Sequence, residues 1–297
     1  MAFENYKPSL DDPNAWVPYR YYPSIPAAAI FIALYAIATI AHTAFLVRRK
    51  TWSFTPFIIG GIFELVGYIG RAISANDIWA LGPYIVQSIL LLVAPALFAA
   101  SIYIVLGKII LFVDGERHSI IPQKWLTKVF VAGDVVSFLL QMAGGGIQAA
   151  GTLEMLHIGE KIIIVGLFSQ IVFFGFFIVV AITFHRRFSK FGQGTPTKDS
   201  GIWRKHIWIL YATSGIIMVR SVFRVIEYLM GNNGFLLRHE YFLYIFDAAL
   251  MFVVMALLLW IHPSELAIAA AKRSSYSEDV SLSDVNQSSR AKGSSPY

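Results

Sequence analysis

The sequence predicts an all-α fold, a polytopic integral membrane protein whose seven transmembrane helices form one bundle. Of its 297 residues, 57% are hydrophobic and 14% are charged, whereas a typical soluble domain has about 25% charged residues. Seven apolar stretches are each long enough to cross the ~30 Å hydrocarbon core, which takes about 20 helical residues. Lys and Arg are concentrated in alternate loops between these stretches. The composition therefore excludes an ordinary soluble enzyme, and the absence of Cys excludes disulfides and thiolate metal sites.

The apolar stretches divide the chain into membrane-spanning and exposed parts. Because every backbone group in lipid needs an internal hydrogen-bond partner, stretches of this length are expected to be helices. The predicted spans are about 26–47, 53–74, 83–112, 125–148, 158–184, 206–230 and 240–261. They lie in a transmembrane domain at 26–265, which follows an extracytoplasmic N-terminal segment at 1–25 and precedes a cytosolic, Ser-rich, disordered tail at 266–297.

The first span resembles a transmembrane helix more than a cleaved signal peptide. It follows 25 polar and aromatic residues and has no basic segment directly before it. A signal peptide would have a basic n-region and a shorter apolar core. We therefore expect this span to be retained as the first helix of the bundle.

The basic residues predict the orientation of the bundle, because short cytosolic loops carry an excess of Lys and Arg. The opposite side has only Lys7, Arg20 and Arg238. Thirteen basic residues lie after the first, third and fifth spans and at the start of the tail: Arg48, Arg49, Lys50, Arg117, Lys124, Arg186, Arg187, Lys190, Lys198, Arg204, Lys205, Lys272 and Arg273. We expect the N-terminus outside and the C-terminus in the cytosol. This charge can also attract anionic lipid, and it does not indicate nucleic-acid binding.

Among the charged residues inside the predicted spans, seven are candidate site residues, because charge within the bilayer costs at least ~2.5–3.5 kcal/mol per residue on insertion scales. They are Glu64 and Arg71 in the second span, Asp134 in the fourth, Arg220, Arg224 and Glu227 in the sixth, and Asp247 in the seventh. Helical spacing places the three residues of the sixth span on one face. Glu64 and Arg71 are about 10 Å apart along their helix axis, so each is expected to have its main partner on another helix.

Four Gln side chains extend this polar set: Gln87 in the third span, Gln141 and Gln148 in the fourth, and Gln170 in the fifth. Glu64, Asp134 and Gln170 fall near mid-depth, and the other eight residues fall in the outer half: Arg71, Gln87, Gln141, Gln148, Arg220, Arg224, Glu227 and Asp247. Two interpretations stay open. The set forms either a buried ion-pair network between helices, or a polar cavity open to the outer leaflet in which carboxylates bind a cation or carry protons.

Helix-breaking residues interrupt two spans. Pro95 lies inside the third span and is expected to kink it, and Gly144, Gly145 and Gly146 lie inside the fourth. Small residues allow close contact between helices. The sharper interpretation is a locally loosened helix beside a cavity, as in transporters, so these four residues are candidate hinges.

Several segments, in order along the chain, resemble the fungal RTA-like lipid-translocating exporters, a seven-span family first associated with aminocholesterol resistance. The resemblance extends over roughly residues 20–265 and includes most of the polar residues named above. The matching segments are ELVGYIGR at 64–71, QSILLLVAPALFAASIY at 87–103, GDVVSFLLQMAGGG at 133–146, GLFSQ at 166–170, RSVFRVIEYLMGNNG at 220–234, HEYFLYIFDAALM at 239–251 and HP at 262–263.

This resemblance implies a fungal membrane protein, most often of the plasma membrane. It implies a role in sphingoid long-chain base export or tolerance, aminosterol resistance or, in some members, porphyrin or haem traffic. We therefore expect a translocator of amphipathic lipid-like molecules, or a controller of their transbilayer distribution. Its expected partners are membrane lipids and an amphipathic small molecule, and a homo-oligomer stays open. Neutralising Glu64 or Asp134 is expected to abolish translocation and leave the protein folded.

Two alternatives remain. A seven-span sensor for a lipid ligand shares the predicted plan, although D/E-R-Y and N-P-x-x-Y motifs are missing. A hydrolase of ceramide-like lipids would need clustered His and acidic residues around zinc. The seven His, at positions 42, 118, 157, 185, 206, 239 and 262, show no ligand spacing. We therefore predict no catalytic residue, no metal and no cofactor.

Overall fold

The computed structural model describes residues 10, 17–148, 153–191, 200–231, 234–266 and 268–269. These residues form helices and no strand. Seven segments are long and apolar enough to cross a membrane: Ile25–Arg49, Trp52–Ser74, Leu81–Phe112, Gln123–Gln148, His157–Lys190, Gly201–Leu229 and Glu240–Leu266. The predicted all-α fold with seven spans is thereby confirmed. The tail beyond residue 269 and most of the segment before residue 17 lie outside the described residues.

Six long helices precede a more irregular seventh span. The long helices are α1 (Ile25–Arg49), α2 (Thr55–Ser74), α3 (Leu81–Phe112), α4 (Gln123–Gln148), α5 (Leu153–Phe191) and α6 (Ser200–Leu229). The short helix α7 (Phe235–Arg238) leads into α8 (Glu240–Leu243), a π-helical segment (Tyr244–Ala249) and α9 (Leu250–Trp260), and the last three form the seventh span. Single 3₁₀ turns occur at Trp52–Phe54 and Glu116–His118.

The ends of α1 follow ordinary capping chemistry. Ser24 is the N-cap, and its hydroxyl accepts a hydrogen bond from the backbone N–H of Ala27, which satisfies one of the free donors of the first turn. At the other end Lys50 adopts a left-handed conformation with φ 51°, which ends the helix. Arg48 and Arg49 occupy the last turn, where positive charge interacts favourably with the helix dipole.

Helix α3 lies at the centre of the bundle, in contact with α2, α4, α5 and α6. The seventh span packs against α1 and α6. Aromatic side chains fill the core around α3: Phe57, Phe98, Tyr103, Phe130 and Phe177 are all completely buried. The outer surface exposes Ile, Val and Leu side chains, as expected for helices that face lipid.

Two sides of the bundle are distinguished below. Residues 17–24 lie on the N-terminal side, where α2 and α6 end and α3 and the seventh span begin. The opposite Lys/Arg-rich side carries Arg48, Arg49, Arg186 and Arg187. The orientation of these sides in the membrane stays a prediction, based on the distribution of basic residues.

The main helical irregularity lies in the seventh span. Helix α3 continues through Pro95, and α4 continues through Gly144, Gly145 and Gly146. The seventh span instead widens into the π-helical segment, which contains Asp247. Such segments often occur at functional sites. The segment contains no Pro or Gly, so the sequence did not predict a helical irregularity there.

Candidate functional site

A cavity of about 320 Å³ opens on the N-terminal side of the bundle, and residues 18–21 lie against it. It is lined by side chains from α2 to α6 and from the seventh span. Seven of the eleven predicted site residues line it: Arg71, Gln87, Gln141, Gln148, Arg224, Glu227 and Asp247. Glu64, Asp134, Gln170 and Arg220 do not. The cavity thus brings together nearly all of the polar residues assigned to the outer half and none of those assigned to mid-depth.

Arg71 lies in a cage of tyrosines, with 1% of its surface exposed. Its guanidinium forms an ion pair with Glu240 of the seventh span at 2.8 Å. It also donates hydrogen bonds to the hydroxyls of Tyr21 at 2.7 Å and Tyr244 at 3.1 Å. The rings of Tyr19, Tyr21 and Tyr244 lie 5.3–5.8 Å from the guanidinium carbon, within cation–π range. Arg71 therefore ties the N-terminal segment to α2 and the seventh span.

Residues 18–21 of the N-terminal segment cover part of the cavity and include two of these tyrosines. The hydroxyl of Tyr19 donates to the side-chain oxygen of Gln87 on α3 at 2.7 Å. Burial raises the pKa of both Tyr19 and Tyr21 above the usual value, so both hydroxyls keep their protons at neutral pH. Glu240 accepts hydrogen bonds from the backbone N–H of Ser24 at 2.9 and 3.0 Å, which fixes the start of α1 beside this cover.

Arg220 does not line the cavity itself, but it joins three parts of the bundle through two partners that do. Its Nε lies 2.5 Å from Oδ1 of Asp247 in the π-helical segment. Its Nη2 donates to the backbone carbonyl of Leu91 on α3 at 2.9 Å. The Leu91 carbonyl would accept from residue 95 in a regular helix, but Pro95 has no N–H to donate. Arg220 therefore supplies the hydrogen bond that Pro95 cannot make.

Arg224 and Glu227 form a second pair within α6, with 2.6 Å between Nη1 and Oε2. Glu227 is buried, and the Arg224 guanidinium lies 5.7 Å from the ring of Tyr228. The Nε of Arg224 is buried without a partner among the described residues. This pair lines the cavity wall and leaves one guanidinium N–H available there.

Glu160 is an acidic cavity residue that the sequence analysis missed. It lines the cavity with 20% of its side chain exposed, and its salt-bridge partner is the 71% exposed His157 at 3.7 Å. Three carboxylates of the described residues line the cavity, and of these Glu227 and Asp247 each pair with an Arg. Glu160 is thus the cavity carboxylate without an Arg partner in the described part of the chain. Its position inside the predicted fifth span was the signal, but its closeness to the span end made it resemble an interfacial residue.

The mid-depth carboxyls lie apart from the cavity and are incompletely partnered. Asp134 accepts a hydrogen bond from the hydroxyl of Tyr103 at 2.8 Å, and its other oxygen has no partner among the described residues. Glu64 is 2% exposed, and its Oε1 has no partner there either. Burying a carboxyl inside a membrane costs free energy, so each of these residues is a candidate functional residue.

The amides connect the fourth and fifth helices. Nε2 of Gln141 donates to Oε1 of Gln170 at 3.2 Å, while the Gln141 Oε1 is buried without a partner in the described residues. Of the candidate hinges, Gly145 and Gly146 line the cavity. Gly144 instead faces α5, where an added Cβ would lie 2.6 Å from the Gly159 carbonyl oxygen. Gly144 therefore permits the close contact of α4 with α5.

Comparison with known proteins places these features in a family. The family described as "RTA1 like protein" matches residues 57–269. Protoporphyrin uptake protein 1 of Saccharomyces cerevisiae is 36% identical over 280 residues, which cover 81% of this chain and 90% of that protein. Protein RTA1 of the same yeast is 34% identical, covering 82% of this chain and 84% of that protein. The yeast sphingoid long-chain base transporter RSB1 is 25% identical over 81% of this chain and 72% of its own length. No solved structure matches.

Proposed function

The chain belongs to the RTA1-like family, and from this premise we propose that it is a transporter whose cavity binds the polar headgroup of an amphipathic, lipid-like molecule. The relatives support a transport role, since one is named for protoporphyrin uptake and another for transport of sphingoid long-chain bases. Seven apolar helices make the chain an integral membrane protein. We place it in the fungal plasma membrane, with the N-terminal side outside, as the family and the distribution of basic residues favour.

The observation that carries the proposal is the charge pattern of the cavity. Asp247 and Glu227 are already neutralised by arginines, whereas among the described residues Glu160 pairs only with the exposed His157. A cationic headgroup can therefore pair with Glu160 without displacing an internal ion pair. Sphingoid bases, which carry an amine on a long aliphatic chain, are the first choice, and sterol-like and porphyrin-like amphiphiles are the others.

The shape of the cavity supports the same assignment. Its volume of about 320 Å³ is at the lower end of the usual range for small-molecule sites, about 300–1,000 Å³. Ile85 on α3 and Met142 on α4 line it and are also exposed on the surface of the bundle. An aliphatic chain can therefore remain in lipid between α3 and α4 while the headgroup occupies the cavity. Glu64 and Asp134 then provide polar groups deeper along the proposed path.

Reconstitution in liposomes tests this proposal. We expect the protein to move a fluorescent sphingoid base between leaflets faster than protein-free liposomes do. A charge-assisted hydrogen bond contributes about 1.5–3 kcal/mol, so Glu160→Gln should weaken binding of the base by about tenfold or more. The matched control is Glu154→Gln, an exposed carboxylate on the same helix that does not line the cavity.

Parallel assays with a fluorescent phospholipid and a porphyrin identify the preferred class. Transport no faster than in protein-free liposomes for all three probes would contradict the proposal. Binding without movement would favour the alternative of a lipid sensor that alters membrane asymmetry indirectly. Product formation from a ceramide-like substrate would favour the hydrolase instead.

A further inference from the structure

A second cavity, of about 440 Å³, lies between α5 and α6 toward the Lys/Arg-rich side, away from the transport cavity. Ile178, Ile182, His185 and Arg186 line it from α5, and Trp208, Tyr211, Ser214 and Gly215 line it from α6. We call this space the α5/α6 groove. Because its walls belong to membrane-spanning segments, it opens to lipid.

The groove has an ordered arrangement from its rim to its floor. Arg186 and Trp208 lie at the level nearer the Lys/Arg-rich side, and both are exposed. Ile178 lies two helical turns deeper than Arg186, about 12 Å along α5. Positive charge and an indole at the rim, above an apolar cleft, match the order of headgroup, interface and acyl chain in a lipid.

Polar groups in the groove are available to a ligand. Ser214 is 1% exposed, and its Oγ has no hydrogen-bond partner in the described part of the chain, although Thr213 and Ser221 on the same helix bond to backbone carbonyls. No salt bridge to Arg186 occurs among the described residues. The Tyr211 hydroxyl is already bonded: it contacts His185 Nδ1 at 3.0 Å and donates to the backbone carbonyl of Ala181 at 3.3 Å.

The basic residues around the α5/α6 groove determine which lipid headgroup it can bind. Arg186 is followed by Arg187, and Arg204 and Lys205 lie exposed at the facing end of α6. None of the described residues that line the groove is a carboxylate. A zwitterionic headgroup would bring its own positive charge into this cluster, whereas an anionic headgroup complements it. We propose that the α5/α6 groove is a binding site for one anionic phospholipid of the leaflet on the Lys/Arg-rich side, distinct from the transported molecule.

Quenching of Trp208 fluorescence by lipids brominated in the acyl chain tests this site in the full-length protein. The Trp208 signal is the difference between the wild type and Trp208→Phe. Phosphatidylcholine vesicles receive a small, equal fraction of brominated phosphatidylserine or brominated phosphatidylcholine. A basic residue near the membrane surface gives about a fivefold preference for anionic lipid. We therefore expect brominated phosphatidylserine to be at least that much more effective at Trp208.

Two variants and one internal control separate a built site from surface charge alone. Arg186→Gln should reduce the preference about fivefold. Gly215→Leu should fill the groove with its side chain without a clash, because an added Cβ meets no atom within 4 Å. Trp125 on α4 is 61% exposed, compared with 66% for Trp208, and it has Lys128 Nζ 5.5 Å from its ring but does not line the groove. It should show a clearly smaller preference. Reversible unfolding of both variants checks that they fold.

Three results would overturn the proposal. Equal preference at Trp125 and Trp208 would indicate a surface charge effect only. An unchanged preference in folded Arg186→Gln would remove the proposed headgroup contact. Weak quenching by both lipids would indicate that a second copy of the chain covers the groove, which the oligomeric state of the purified protein would verify.

Discussion

Arg220 donates a hydrogen bond to the backbone carbonyl of Leu91 at 2.9 Å, and this contact joins two features that the sequence presents as unrelated. Pro95 leaves that carbonyl without its helical donor. Arg220 supplies the donor and at the same time neutralises Asp247 in the π-helical segment. The proline of α3, the charge of α6 and the irregular turn of the seventh span are therefore one structural unit in the wall of the cavity.

The Arg220 and Asp247 pair should be essential for stability. Removing one partner of a buried pair leaves an uncompensated charge, which costs about 3–5 kcal/mol. We expect Arg220→Met and Asp247→Leu each to lower the free energy of unfolding by about this amount. The double variant should lose much less than the two single losses combined, because neither charge remains. Reversible unfolding in mild detergent measures all three, with the exposed Arg187→Met as control. Additive losses would show that the two residues act independently.

Pro95 should be coupled energetically to Arg220. Replacing Pro by Ala in a helix interior is normally favourable by up to about 3 kcal/mol, but here Arg220 already satisfies the Leu91 carbonyl. We expect Pro95→Ala to stabilise the Arg220→Met variant more than it stabilises the wild type, by about 1–3 kcal/mol. A double-mutant cycle measures this difference. Equal gains in both backgrounds would show that the carbonyl does not depend on Arg220.

Gly144 and Gly145 should respond differently to the same small change. A Cβ on Gly144 would lie 2.6 Å from both the Gly159 carbonyl oxygen and Ile163 Cγ1, whereas one on Gly145 meets nothing within 4 Å. We expect Gly144→Ala to destabilise the protein by about 1–3 kcal/mol through overpacking. Gly145→Ala should be neutral or slightly stabilising, because Ala is the better helix former. Thermal unfolding of the two purified variants compares them directly. Equal losses would argue for a hinge that needs glycine flexibility at both positions.

The sequence predicted the seven spans because each needs only its own apolar length, and the structure confirms that fold. The depth of charged residues could be read in the same way, since position along a helix gives distance from its end. Pairing could not. Arg71 contacts Glu240, which lies at the start of a predicted span and resembles an ordinary interfacial acid. Whether a carboxylate lines the cavity depends on helix rotation and packing, so Glu160 was missed and Glu64 was placed with cavity residues.

The cover over the cavity should loosen at high pH. Burial raises the pKa of Tyr19 and Tyr21, so the folded state favours their protonated forms. This contribution to stability is fully present below the unfolded pKa of about 10, and it is lost as the pH rises through the folded pKa values. We expect the buried tyrosines to ionise above pH 10, and the N-terminal segment to become accessible to protease as they do.

Tyr19→Phe and Tyr21→Phe should each remove part of the ionisation that occurs above pH 10. Absorbance of the tyrosinate form measures this ionisation. Tyr22→Phe is the matched control, because Tyr22 is 73% exposed. Protease access that does not change with pH, or that changes equally in the Tyr22→Phe variant and the other two, would contradict the role of the buried hydroxyls.

Glu64 and Asp134 should affect movement of the substrate and leave its first binding step intact. Neither residue lines the cavity, and each has an unpartnered oxygen among the described residues. If the proposed headgroup path continues past the cavity, a cation leaving Glu160 meets these carboxyls next. We expect Glu64→Gln and Asp134→Asn to bind a fluorescent sphingoid base within about twofold of the wild type, because their contacts with the cavity are indirect. Their translocation in liposomes should fall to the protein-free rate.

The amide variants keep the size of each side chain, so they separate charge from packing. Glu160→Gln is the complementary variant, since it should lose binding first. Normal transport by folded Glu64→Gln and Asp134→Asn would rule out the path past mid-depth. Loss of folding in both would show instead that these carboxyls are structural, because an amide keeps the size of the side chain and removes its ability to carry a negative charge.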